Sequence, residues 1–218
     1  MAAKLFALLV GIDRYQAPDV PRLRGCVNDI DRMTALLAAR EDDVDLRVLR
    51  DAEATRAAVI DAFRSHLGQA GPDDIALFYC ASHGSQGVAP PEFRRQEQDH
   101  LLETLVCHDS RTPGVPDLAD KELAKLIREV ADPGTSVVVV LDACHSANGT
   151  REPGPGVRRA PVDERPRPVD TFLVDPADAL APPAGSDSGW TTGRHILLAA
   201  CHTTEVSREV FMGDRQCG

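Results

Sequence analysis

Two residues stand where an apolar run ends and polar, small residues begin, and together they could do covalent chemistry. Cys144 lies in "VVVVLDACHSANG", Val137 to Gly149, and His83 lies in "YCASHGSQG", Tyr79 to Gly87. A thiol delivered to the mouth of a buried strand needs an imidazole beside it to act as a nucleophile with a general acid and base. Gly84, directly after His83, offers an unhindered backbone N–H; with the N–H of Cys144 it would make a two-donor oxyanion site. The alternative for Cys144 is a buried structural thiol, since free cysteine is among the most buried residue types.

The elements that must bring these two residues together are legible as alternating patterns. Continuous apolar runs at 4–12, 74–81, 136–143 and 195–201 and an alternating run at 43–50 read as strands. Apolar residues at helical spacing predict helices over 27–40, 54–70 and 120–130. Continuous apolar strands separated by helices imply an α/β fold, a mostly parallel sheet with helices on both faces. Ligands of such sheets bind beyond the carboxyl ends of the strands. There the chain places "GIDRY", "SHGSQG" and "CHSANG". Residues 84–100 read as a polar loop. Residues 149–193, rich in proline and without sustained periodicity, read as a flexible segment.

Composition bounds the rest. The chain has 218 residues, enough for one large domain, with 43% hydrophobic residues to fill a core. With 24 basic against 34 acidic residues the formal charge is −10, which disfavours nucleic-acid and anionic-membrane surfaces. The apolar run Leu5 to Val10 is too short for a signal segment or a membrane span. The six cysteines have no C-x-x-C pair or disulfide-rich spacing, which fits a reduced, cytoplasmic setting. Three Cys-His dipeptides, at 107, 144 and 201, do not make a zinc site, because neighbouring strand residues face opposite sides.

Four motifs in order, "ALLVGIDRY" with "RLRGCVNDI", "YCASHGSQG", "LDACHSA" after its valine run, and "HILLAACHTTEVSREV", resemble the caspase-like cysteine peptidases of the C14 type, nearer to the prokaryotic and metacaspase branch than to animal caspases. The resemblance implies a caspase-hemoglobinase fold with Cys144 as nucleophile and His83 as its partner. It implies a pocket for a basic P1 residue built from Asp142, Asp29 and Cys26. Strand geometry agrees for Asp142, since residues i and i+2 share a face and its carboxylate would emerge beside Cys144. A carboxylate pocket favours arginine over lysine. Asp29 has a simpler reading as a helix cap, as has Asn28, and Asp142 as an acid bonded to loop amides.

On this reading the chain divides into a large-subunit-like part (1–148), a Pro- and Arg-rich linker (149–193) and the start of a small-subunit-like part (194–218) that is cut short relative to the family. Arg158 and Arg159 are then candidate processing sites, whereas Arg165 and Arg167 are each followed by proline. The expected partners are protein substrates and an upstream activator or inhibitory protein. No cofactor is expected; calcium, which activates many members of the branch, would draw on Asp109, Asp117 and Asp120, although the family's adjacent acid pair is only Ala119-Asp120 here. By resemblance, bacterial relatives act in stress, programmed death or defence. Two rivals differ in class: a caspase-fold scaffold without peptidase activity, and a flavodoxin-like small-ligand binder, the latter disfavoured because no phosphate-binding glycine loop follows the first strand.

Overall fold

The computed structural model describes residues 3–40, 43–94, 97, 99–131, 134–144, 156–175, 195–200 and 207–218. Its centre is a five-stranded sheet in the order β2-β1-β3-β7-β8, formed by β1 (Leu5–Gly11), β2 (Val44–Arg50), β3 (Ile75–Ala81), β7 (Ser136–Asp142) and β8 (His195–Ala199). Every pairing in it is parallel. Alternate residues of β1 serve opposite faces: Phe6, Leu8 and Val10 pack with α2 (Arg56–Ser65) and α3 (Asp120–Ala131), while Ala7 and Leu9 pack with α1 (Cys26–Arg40). The sheet is therefore buried on both sides, which is why its strands are nearly continuous apolar runs. No helix is long and apolar enough to cross a membrane among the described residues.

The helices begin where side chains from distant loops meet their free N–H groups. For α1 the acceptor is Asp13, whose carboxylate takes the N–H groups of Cys26 (2.9 Å) and Val27 (3.3 Å). Asp29 is thus released from the capping role. For α2 the Thr55 hydroxyl accepts from Ala58 and the Asp109 carboxylate from Arg56. The helix predicted over 54–70 is shorter, ending at Ser65, with a single 3-10 turn at Leu67–Gln69.

The stretch 84–100, expected as loop, contributes a strand of a second sheet. There β4 (Gly84–Val88) pairs antiparallel with β5 (Leu101–Leu105), which pairs with the short β6 (Leu118–Ala119). "GSQGV" carries two glycines and one β-branched residue, so nothing in its own sequence marks it as a strand; its neighbours impose the pairing. β9 (Val210–Met212) and β10 (Arg215–Cys217) form a separate hairpin beside α1.

Close approach of α1 to the sheet depends on Gly11. A Cβ there would lie 2.6 Å from Ile30 Cδ1 and 2.8 Å from the Cys26 carbonyl oxygen, and the backbone oxygen cannot simply rotate away. Gly11→Ala is expected to cost about 1–3 kcal/mol by overpacking, read as a lower urea midpoint in the Cys144→Ala background. An unchanged midpoint would mean that α1 shifts freely.

Candidate active site

Register brings the two reactive residues to one place. Ala81 pairs with Asp142 in the parallel β3-β7 ladder, so His83 and Cys144 each sit two residues past adjacent strand ends. Both are buried, His83 at 1% and Cys144 at 0% exposure. The Cys144 sulfur accepts the N–H of Ser207. His83 is fixed on two sides: its Nε2 lies 2.9 Å from the Pro21 carbonyl oxygen, and its backbone N–H donates to the Tyr15 hydroxyl at 2.9 Å. A carbonyl can only accept, so Nε2 carries the proton and Nδ1 holds a lone pair. That Nδ1 is buried without a hydrogen-bond partner among the described residues.

The third participant is the chain itself. Within the segment read as a flexible linker, residues 156–175 are packed; 149–155 and 176–193 lie outside the described residues. Arg158 is wholly buried. Its carbonyl oxygen accepts the N–H groups of Gly84 (3.0 Å) and Cys144 (3.1 Å), the two donors expected from sequence to face an oxyanion. Its own N–H donates to the Ser207 carbonyl at 3.1 Å, and Glu209 N–H donates to the Gly156 carbonyl at 2.7 Å. Val157 makes an antiparallel bridge with Arg208. Beyond Arg158 the chain turns to run parallel to β4, with bridges from Arg159 to Gly84 and from Asp163 to Gly87.

The guanidinium of Arg158 fills an acidic pocket. Nη2 bonds Asp29, Nη1 lies 2.6 Å from Asp142 Oδ2, and Glu209 is 3.9 Å away. Burial works against the charge, but the carboxylates of Asp142 and Asp29 outweigh it and raise the guanidinium's pKa above its ordinary value. Cys26 is itself fully buried, and burial pushes its thiol pKa well up. Asp142 also accepts from the Ser207 hydroxyl at 3.1 Å, and Asp29 from the N–H of Gly218 at 3.0 Å. Gly25 leaves the space the fork needs: a Cβ there would lie 3.1 Å from Arg158 Nη2 and 2.9 Å from Glu209 Oε1.

The acids that the sequence offers as calcium ligands are dispersed. Asp109 caps α2, Asp117 pairs with buried Arg111, and Asp120 pairs with Lys121. Burial raises the Asp120 pKa to about 6 against the pull of Lys121. Among the described residues the group of three potential metal ligands that does converge is Asp13, Cys26 and Glu209. Each of its acids is already accepting backbone N–H groups, Asp13 from α1 and Glu209 from Arg24 and Gly25. Arg159, the other candidate processing site, follows Arg158 at the start of the run along β4.

A family model described as the metacaspase, peptidase C14 domain matches residues 6–152, more than half of the chain. The chain belongs to the metacaspase family. Among curated relatives, metacaspase-1A of Aspergillus niger is 30% identical over 153 residues, covering 65% of this chain and 35% of that protein. Metacaspase-1 of Emericella nidulans is 29% identical over 153 residues with the same coverage. The chain thus spans about a third of the length of these relatives. Among solved structures, protein GSU0716 from Geobacter sulfurreducens aligns with a TM-score of 0.54 at 28% identity, covering 67% of this chain and 52% of that one. His83, Cys144, Asp29 and Asp142 fall inside the family match; Arg158, Ser207 and Glu209 fall beyond it.

Sequence reasoning missed Ser207, Glu209, Tyr15 and Pro21. Tyr15 and Glu209 lie in motifs already conspicuous, "GIDRY" and "EVSREV", but nothing local says which distant backbone they meet. One consequence of the burial of His83 is pH dependence. Burial lowers the His83 pKa from 6.5 to about 4, only partly offset by its bond to Pro21. Between pH 6.5 and 4 the unfolded chain binds a proton at this histidine that the folded chain does not. Its contribution to stability is therefore present above pH 6.5 and lost as the pH falls toward 4. In the Cys144→Ala background, urea midpoints across this window should fall more steeply with His83 than with His83→Gln. Parallel curves would contradict the assignment.

Proposed function

We propose that the chain is a cysteine endopeptidase that cuts proteins after arginine and processes itself at the Arg158–Arg159 bond. One observation carries this reading: a single residue, Arg158, presents its carbonyl oxygen to the Gly84 and Cys144 N–H groups while its guanidinium is forked between Asp29 and Asp142. Two η nitrogens meeting two carboxylates is a geometry a single ammonium cannot reproduce, so lysine is the poorer P1 residue. Family membership supports the reaction class, and β-bridges on both sides of Arg158 fix the segment across the site.

The chemistry follows from these positions. Nδ1 of His83 takes the Cys144 proton, and the sulfur attacks the carbonyl carbon of Arg158. Charge develops on the oxygen already bonded to Gly84 and Cys144 N–H. The C–N bond breaks, and the nitrogen of Arg159 leaves with the proton held by His83. Water then attacks the thioester, giving its proton to His83 as the C–S bond breaks, and releases the Arg158 carboxylate with the thiol restored. The imidazolium lives in a buried site only beside the thiolate, which compensates its charge. Protein substrates with an exposed, extended arginine would enter by the same contacts once the chain's own segment has been cut.

The test is intact mass and N-terminal sequencing of the incubated chain beside Arg158→Gln. The expected result is a new N-terminus at Arg159, absent from the variant. An unchanged parent chain, or equal cutting of the variant, would sink the proposal.

A further inference from the structure

Past the scissile bond the segment is held as tightly as before it. Ala160 N–H donates to the Gly84 carbonyl at 2.9 Å, Asp163 N–H to the Gln86 carbonyl at 2.8 Å, and Val88 N–H to the Asp163 carbonyl at 3.3 Å. The Ala160 side chain, 3% exposed, packs in a cluster with Ala17, Val20 and Val106, with Tyr15 against it. These walls are anchored. Val20 precedes the Pro21 that holds His83, and Val106 donates its N–H to the His83 carbonyl at 3.0 Å. The next carbonyl, of Pro161, accepts from Arg111 Nη1 at 2.9 Å and from the Ser85 hydroxyl at 2.7 Å. Both donors are buried, and Arg111 is set by Asp117 at 2.9 Å. Pro161 itself donates nothing to β4, so proline is compatible with this place.

Resting on the reading of Arg158 as P1, we propose that Ala17, Val20 and Val106 form a closed specificity pocket for the second residue after the cut, admitting glycine or alanine and excluding larger side chains. Arg111 and Ser85 fix the backbone of the third residue by its carbonyl. The preferred substrate sequence is arginine, any residue but proline, then a small residue, with proline accepted next. A side chain two methyl groups larger than alanine has no space without displacing a wall that also holds the histidine, so the effect falls on turnover as well as binding.

The test follows the self-cut of the full chain carrying Ala160→Gly, Ala160→Val or Val20→Ala with Ala160→Val, beside Arg158→Gln, with folding checked by circular dichroism. A parallel set of hexapeptides, Val-Arg-Arg-X-Pro-Val with X alanine, valine or phenylalanine, is independent of folding. Glycine should be cut within about 3-fold of alanine and valine about 10- to 100-fold more slowly. Removing two methyl groups from Val20 should recover most of that loss. Equal cutting of the alanine, valine and phenylalanine peptides, with Arg158→Gln still uncut, overturns the pocket and leaves the P1 reading intact. Cutting of Arg158→Gln at the parent rate overturns both.

Discussion

Cys144→Ala is expected to stay a single uncut polypeptide under conditions in which the parent is processed after Arg158, and to lose about 10^4-fold or more of its turnover of arginine peptides. The size follows from the role: with the sulfur gone, no covalent intermediate divides the reaction, and only the oxyanion donors and the pocket remain. The fold should survive, because the change removes one atom from a site where the Arg158 carbonyl still takes its two N–H bonds. Intact mass over time measures the first part and a fluorogenic peptide the second. Residual cutting after Arg158 by purified Cys144→Ala would mean that another group, or another protease, makes the cut.

The second large effect concerns the pocket. Asp142→Ala and Asp29→Ala should each lower kcat/KM for arginine peptides roughly 10^2- to 10^3-fold, because each takes one of its two close carboxylates from a desolvated guanidinium, a loss of about 3–4 kcal/mol. A citrulline peptide, which keeps the shape of arginine without its charge, should be almost indifferent to either change. The two losses will not add, since both acids hold one side chain. Equal effects on arginine and citrulline peptides would show that these acids support the fold and not the charge of P1.

The sheet was legible because its strands are buried on both faces and therefore read as unbroken apolar runs; "KLFALLVGI" and "SVVVVLDA" could hardly be anything else. Cys144 and His83 were legible for the same reason, as polar residues at the ends of such runs. Asp142 came from the family resemblance, and the two-residue period of a strand agreed with it. β4 was not legible, since a strand of glycine and small polar residues is made by its partners, β5 on one side and 159–163 on the other. Nor was the packing of 156–175. Its proline content argues against helix and sheet core, but the segment is held by long-range bonds: Arg158 to Asp29 and Asp142, Arg165 to the Arg111 carbonyl, and Arg167 with the Leu173 N–H to buried Glu122. Such contacts join residues far apart in the chain and leave no local period to read.

The most direct test of the central claim is the rate at which Cys144 is alkylated by two active-site-directed peptides, identical but for arginine or aspartate before the electrophile, followed by intact mass and peptide mapping. One adduct per chain is expected, on Cys144, forming at least about 100-fold faster with arginine. No adduct, an adduct on another cysteine, or equal rates with aspartate would contradict it.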